Sequence, residues 1–179
     1  MSNDLQIYHV YFDGKAFIAD VMSIIDTLFD TLFDCMYDKI CNAIAYNSEA
    51  SGVMKDTTIA QVKEISRVIT PQSAEIEVGI DEGDIGGGLQ TIIRVLVTLH
   101  GNGEIWTNPG GLTWKKDVTG PSISTALSVY NIPQFDQDDH SAEMMEDFEK
   151  NIKTDIDDFN RALKAAIDAI DYEKYLRIG

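Results

Sequence analysis

The residues with which catalytic or metal chemistry could start are three histidines, two cysteines and 30 acidic side chains in a chain of 179 residues. His9, His100 and His140 lie in separate segments, and none belongs to an HExxH motif or to an i,i+4 pair of the kind that binds zinc. No GxSxG, Walker or Cys–His signature accompanies them. The sequence therefore predicts a non-enzymatic protein without a catalytic residue, a metal site or a cofactor.

One acidic segment deserves comparison with a calcium loop. Asp136, Asp138 and the residues after them resemble the start of such a loop. The sixth position, however, holds Ser141 where the loop needs glycine, and the twelfth holds Asp147 where it needs a bidentate glutamate. We therefore interpret this segment as a charged loop ahead of a helix.

The two cysteines show no sign of redox or metal chemistry. Cys35 and Cys41 are six residues apart, which on a helix separates them by about 240° around the axis. That separation is too wide for a disulfide bond. We expect both to be buried as small hydrophobic residues.

Charge excludes several classes of partner. Acidic residues outnumber Lys and Arg by 30 to 14, which gives a net charge of −16. Such a charge repels nucleic acids and anionic membranes, so specific DNA binding is not expected. No apolar stretch approaches the roughly 20 residues of a membrane span, and the N-terminus lacks a signal-peptide pattern. We expect a protein made in a cytosol, without a membrane partner.

A long amphipathic helix is predicted over residues 16–46, where apolar residues recur at three- and four-residue steps. Its other face carries Asp26, Asp30, Asp34 and Asp38 at i,i+4 intervals, here called the aspartate stripe. Like charges at that spacing cost about 0.2–0.5 kcal/mol per pair. The stripe is either a solvated polar face or a surface that must be negative, to meet a partner's cations or to line a passage for a polyanion.

The middle of the chain predicts an antiparallel sheet within residues 74–132. Residues 74–80 alternate between apolar and acidic side chains, and the β-branched run 91–99 is typical of a central strand. Residues 123–132 are the last predicted strand. Residues 59–69 fit both a helix and a strand, and we predict a short helix there.

A second helix is predicted over residues 141–172, again from apolar residues at helical spacing. The fold class is therefore α+β: an antiparallel sheet with a long hairpin, packed against a long N-terminal helix and a C-terminal helix. Residues 16–172 form one domain, with an N-terminal extension over 1–15 and a C-terminal tail over 173–179.

The long hairpin is predicted between two tryptophans. Pro109 and Gly110 suit the central positions of a type II turn, because proline fixes the first φ and glycine accepts a positive second φ. The flanking segments, which carry Trp106 and Trp114, could then pair. Two exposed tryptophans are better suited to a subunit contact than to water, although ordinary core packing remains an alternative.

These residues carry a resemblance to a known family. Gly101-Asn-Gly103, the Pro109-Gly110 turn and Trp114 follow an apolar strand, and the order of elements over residues 16–170 completes the pattern. Both features resemble the neck proteins of tailed bacteriophages, the head–tail joining and tail-completion (minor tail) proteins. The resemblance implies a structural virion protein, assembled in the host cytoplasm, that forms a ring of usually six copies. Its partners would be other neck proteins and the tail-tube or portal-adaptor proteins.

The resemblance also implies roles for particular residues. Trp106, Pro109, Gly110 and Trp114 would lie at the subunit interface of the ring. Asp26, Asp30, Asp34 and Asp38 would line a lumen that repels passing DNA. The alternative function is an acidic soluble inhibitor, either an immunity protein or a DNA-mimicking antirestriction factor, whose carboxylates pair with a basic enzyme.

Overall fold

A computed structural model describes residues 10–46, 59–83, 88–100, 122–130 and 141–178. Its elements are β1 (Val10–Phe12), α1 (Gly14–Tyr46), β2 (Val62–Ile69), β3 (Ser73–Asp81), β4 (Leu89–His100), β5 (Ser122–Val129), α2 (Ser141–Asp168), a 3-10 helix (Tyr172–Tyr175) and β6 (Leu176–Ile178). The predicted α+β class is confirmed, with two long helices packed on one face of an antiparallel four-stranded sheet.

The sheet has the strand order β2-β3-β4-β5, so the predicted central position of residues 91–99 is confirmed. Cross-strand pairs such as Ile76 with Val95 and Ala74 with Val97 lie on the face toward the helices, and all four residues are buried. The residues that alternate with them along the strands, including Glu75 and Arg94, are partly exposed on the opposite face. Alternation thus gives the sheet one apolar and one polar face.

The short helix predicted over residues 59–69 is wrong, because residues 62–69 form strand β2. A tight connection brings β2 against β3: the Thr70 N–H donates to the Ser73 carbonyl at 2.7 Å, and the Thr70 hydroxyl accepts from the Ser73 N–H at 3.1 Å. The apolar spacing of this segment fitted both a helix and a strand, and its pairing with β3 determines that it is a strand.

A β-bulge interrupts the pairing of β3 with β4 between Val78 and Gly79. A Cβ atom added at Gly79 would lie 2.0 Å from the carbonyl oxygen of Gln90 and 2.8 Å from the Ile65 side chain. The close approach of the two backbones therefore requires glycine at this position.

Helix α1 begins after Asp13, whose side chain accepts a hydrogen bond from the Ala16 N–H at 3.1 Å as an N-cap. The two helices run antiparallel, with the Phe29 and Phe159 rings stacked at 5.5 Å between centroids. Both rings are buried, so the predicted apolar faces of the helices are confirmed at these positions. None of the helices in the described ranges has the length and apolar character needed to cross a membrane.

Strands β1 and β6 meet at one end of the helical layer. Helix α2 stops at Asp168, four residues before the predicted end, and the next residues form the 3-10 helix and β6. Strand β6 pairs with β1, so residues that we assigned to an N-terminal extension and a C-terminal tail form a two-stranded sheet. Phe12, Phe17 and Tyr175 pack together beneath it, with ring centroids 5.4 to 5.8 Å apart.

Candidate functional site

The aspartate stripe lies on the solvent side of α1. Asp26, Asp30, Asp34 and Asp38 are all exposed, as the helical spacing predicts. Among the described residues, Asp34 and Asp38 form no ion pair, whereas Asp26 and Asp30 contact a cation from the sheet. The stripe is therefore divided into a paired half and an unpaired half.

Arg67 of β2 is the cation that pairs with the first half of the stripe. Its Nη1 donates to Asp26 Oδ1 at 2.9 Å and to Asp30 Oδ1 at 2.8 Å, while Nη2 donates to Glu64 Oε1 at 2.5 Å. The guanidinium carbon lies 5.8 Å from the Phe29 ring centroid, within the range of a cation–π contact. One side chain thus fixes the edge strand of the sheet to α1.

Electrostatics keep this arginine charged. Burial alone would lower the pKa of Arg67, whose side chain is only 17% exposed, but hydrogen bonds to Glu64, Asp26 and Asp30 outweigh burial and raise the pKa above its ordinary value. Three carboxylates surround one cation, so the cluster retains negative charge. The sequence offered a weak signal for it, a lone arginine within a β-branched run, which sequence reasoning did not use.

The predicted interface residues Trp106, Pro109, Gly110 and Trp114 lie outside the described residues. The strands on either side of them are described, and they pair up to their ends: His100 is opposite Ser122. The chain therefore leaves the sheet and returns to it at one point, with residues 101–121 between. The calcium-like segment that starts at Asp136 also falls outside the described residues.

A second polar cluster joins the C-terminal segment to α1. Asp20 Oδ2 accepts from the Tyr175 hydroxyl at 2.5 Å and from Lys174 Nζ at 3.1 Å. These hydrogen bonds, that of Tyr175 first, lower the pKa of Asp20, while burial and the bond to Asp20 raise the pKa of Tyr175. A shallow cavity of about 310 Å³ opens beside this cluster, with Ile24 and Ile170 in its apolar wall.

The thiols are less buried than we predicted. Cys35 and Cys41 are free, as expected, but both are partly rather than fully buried. Burial raises the pKa of each thiol above its ordinary value, and Asp155 adds to the rise at Cys35. Such thiols are protonated near neutral pH and are poor nucleophiles.

Neither a metal site nor a comparison with known proteins indicates a function for this chain. Among the residues with described positions, no three His, Cys, Asp or Glu side chains are grouped as a metal ion would require. No protein-family model, curated protein or solved structure matches the chain. The functional argument therefore depends on the surfaces of the molecule itself.

Proposed function

We propose that this protein is a non-enzymatic structural component of a tailed-bacteriophage virion. It forms an oligomeric ring at the head–tail neck, as a tail-completion or connector protein, and DNA passes through the ring without specific binding. The pairing of β4 with β5 up to His100 and Ser122 carries this proposal, because it fixes where the described chain stops before residue 101 and resumes after residue 121. Six copies, the number usual in the family that the sequence resembles, would complete the ring.

The paired ends of β4 and β5 support an intersubunit role for this insertion. Because His100 and Ser122 are opposite each other, residues 101–121 are attached at one end of a sheet whose strands are fixed by the core. A segment attached in this way can reach a neighbouring copy without disturbing its own domain. Trp106 and Trp114 would supply the apolar area of that contact.

The charge of the helical layer supports passage of DNA. Asp34 and Asp38 are exposed and have no ion pair within the described residues, so their charge is available to act on a polyanion. Basic groups in a lumen would bind phosphates and release counterions, which would hold the DNA. Carboxylates repel the phosphates and so do not hold the DNA. Their repulsion acts over a Debye length of about 8 Å at physiological salt.

Deletion of residues 107–113 tests the ring. The deletion variant should fold as a monomer that no longer assembles. The wild-type protein should form rings, which mass photometry and negative-stain microscopy would detect. Replacing Trp106 and Trp114 together by Ser keeps the length of the segment and should also weaken assembly. If both changes abolish the circular-dichroism signal of the folded monomer, the segment belongs to the core and the interface role is wrong.

Charge reversal tests the passage of DNA. Virions that carry Asp34→Lys and Asp38→Lys should assemble but eject their genome more slowly, and the delay should shrink as salt rises. Asp147→Lys with Asp158→Lys on α2 is the matched control for total charge, since both residues are exposed. If neither pair alters ejection while both abolish binding to a basic enzyme, the inhibitor function replaces the neck function.

A further inference from the structure

Strand β5 differs from the other strands of its sheet in having no charge. Its eight residues, SISTALSV, contain no charged side chain and no proline, while β2, β3 and β4 each contain at least one charged residue. It stands at one edge of the four-stranded sheet. Edge strands of isolated proteins are normally guarded by lysine, proline or a bulge, because an unguarded edge pairs with other chains.

The free groups of this edge follow from its pairing with β4. The Tyr130 N–H donates to the Ile92 carbonyl at 2.8 Å, and the register of the two strands continues without a shift to Ser122. Because alternate residues of a strand point their N–H groups to the same side, those of Ile123, Thr125, Leu127 and Val129 point away from β4. Within the described ranges, no strand pairs with this edge.

The strand is also held rigidly. Ile123, Leu127 and Val129 pack against the core, and the Thr125 hydroxyl donates to Asn160 Oδ1 of α2 at 2.6 Å. A strand with a fixed register presents its N–H and C=O groups in the geometry that an added strand requires.

We propose that β5 is an intersubunit strand, to which the β2 edge of a second copy of this chain adds in antiparallel orientation. This inference rests on the proposed function, because it assumes that identical copies follow one another around a ring. Strand direction alternates across β2-β3-β4-β5, so β5 runs opposite to β2. If a neighbouring copy stands in the same orientation, with its helices on the same side of the sheet, its β2 therefore runs antiparallel to β5 of the first copy.

The β2 edge is suited to this pairing in length and in free groups. It contains eight residues, as β5 does. The Thr70 N–H donates to β3, so by the same alternation the N–H groups of Arg67 and Ile69 point outward. Placing these residues opposite Thr125 and Ile123 brings Ser124 of one copy opposite Val68 of the next. Both side chains are exposed on the face away from the helices.

Charge on the helical layer is also compatible with this contact. Asp26 and Asp30 flank β2, since Arg67 reaches both, and their side chains are 57% and 71% exposed. On α2, Lys153 and Lys164 share the side of Asn160, which faces β5, by helical periodicity, and both are exposed. Glu146, Glu149 and Asp157 share that side, so it carries three carboxylates against two lysines. It is less acidic than the flank of β2, where three carboxylates surround Arg67 alone. Head-to-tail packing would place the two lysines beside the neighbour's aspartates.

The sharpest test is cross-linking with Ser124→Cys and Val68→Cys in one chain. Side chains directly opposite in an antiparallel sheet have Cβ atoms about 4.5–5.5 Å apart, so these thiols can come within reach of a disulfide. Oxidation should give a ladder of dimers, trimers and larger species on a non-reducing gel, and each single variant should give none. Dimers from Ser124→Cys alone, with nothing larger, would show a two-fold β5–β5 contact and overturn the proposal.

A backbone test uses Thr125→Pro, with Thr125→Val as its matched control. Both lose the hydroxyl bond to Asn160, but only proline removes the outward N–H, and an outward N–H at an edge is where a sheet tolerates proline. Ring formation should fall at least tenfold for Thr125→Pro and remain near wild type for Thr125→Val. If Thr125→Pro does not fold, Ser124→Lys with Ala126→Lys charges the same edge and should cause the same loss.

The two proposals fail separately. Rings that persist in Thr125→Pro and in the lysine variant, without a cross-linked ladder, would overturn the β5 interface and leave the neck function standing. Open polymers that cross-link through the cysteine pair would support the β5 interface and contradict the closed ring. A wild-type protein that stays monomeric, with no ladder from the double variant, would overturn both.

Discussion

The stacked pair Phe29 and Phe159 allows the packing of α1 on α2 to be tested quantitatively. Phe29 is 0% exposed and Phe159 is 5% exposed, so either change to Ala removes a buried ring. Such changes cost about 3–5 kcal/mol, from lost transfer free energy and the cavity left behind. For a chain of this size, each kcal/mol lowers the melting temperature by about 2–4 °C, so each variant should melt roughly 6–20 °C below wild type.

A double-mutant cycle isolates the contact between the rings. Stacked aromatic pairs contribute about 0.5–1.5 kcal/mol beyond their buried area, so the double variant should be less destabilised than the sum of the single variants by about that amount. Urea unfolding followed by circular dichroism measures all four corners. Additive losses, or an unchanged melting temperature in either single variant, would refute the packing described here. Phe33→Ala, at a half-buried position, is the control and should cost less.

Three further changes have expected outcomes. Gly79→Ala places a Cβ against a β4 carbonyl and should cost about 2–3 kcal/mol in urea unfolding, whereas Gly14→Ala, with open space around its Cβ, should cost nothing measurable. The lowered pKa of Asp20 means that its stabilisation is present above the ordinary aspartate pKa and is lost as pH falls through the folded value. Thermal melts of wild type and Asp20→Asn should therefore differ at pH 6 and converge as the acid is titrated; a constant difference would contradict this. Arg67→Met should cost about 1–2 kcal/mol because it leaves three carboxylates without their cation, while Arg161→Met, at a 75% exposed side chain, should cost less than about 0.5.

The parts of the fold that sequence reasoning predicted are those with a strong local period. The helical spacing of α1 and α2 and the alternation in β3 each report which side of an element is buried, and the structure confirms these sides. In β4, the β-branched composition identified a central strand because much of the strand is buried. Local pattern was sufficient wherever burial was nearly complete.

The parts that failed depend on contacts distant in sequence. Strand β2 is half-buried along most of its length, so its burial follows neither period cleanly, and its pairing with β3 decides its structure. Strands β1 and β6 have three residues each, too few to show a local period, and their structure depends on their pairing with each other. Arg67 lies 37 residues from Asp30, and spacing along α1 contains no information about that contact.

The two proposals together constrain how a subunit stands in the ring. If β5 and β2 join neighbouring sheets, the sheets form a continuous wall and each subunit's helices lie on one side of it. Asp34 and Asp38 belong to the helical layer, whereas Glu75, Glu77 and Arg94 lie on the opposite face, where Arg94 pairs with both glutamates. The unpaired carboxylates can therefore face DNA only if the helical layer is turned inward. A ring built through β5 with its helices outward would present the ion-paired face of Glu75, Glu77 and Arg94 to the lumen. Reversing Asp34 and Asp38 would then leave ejection unchanged.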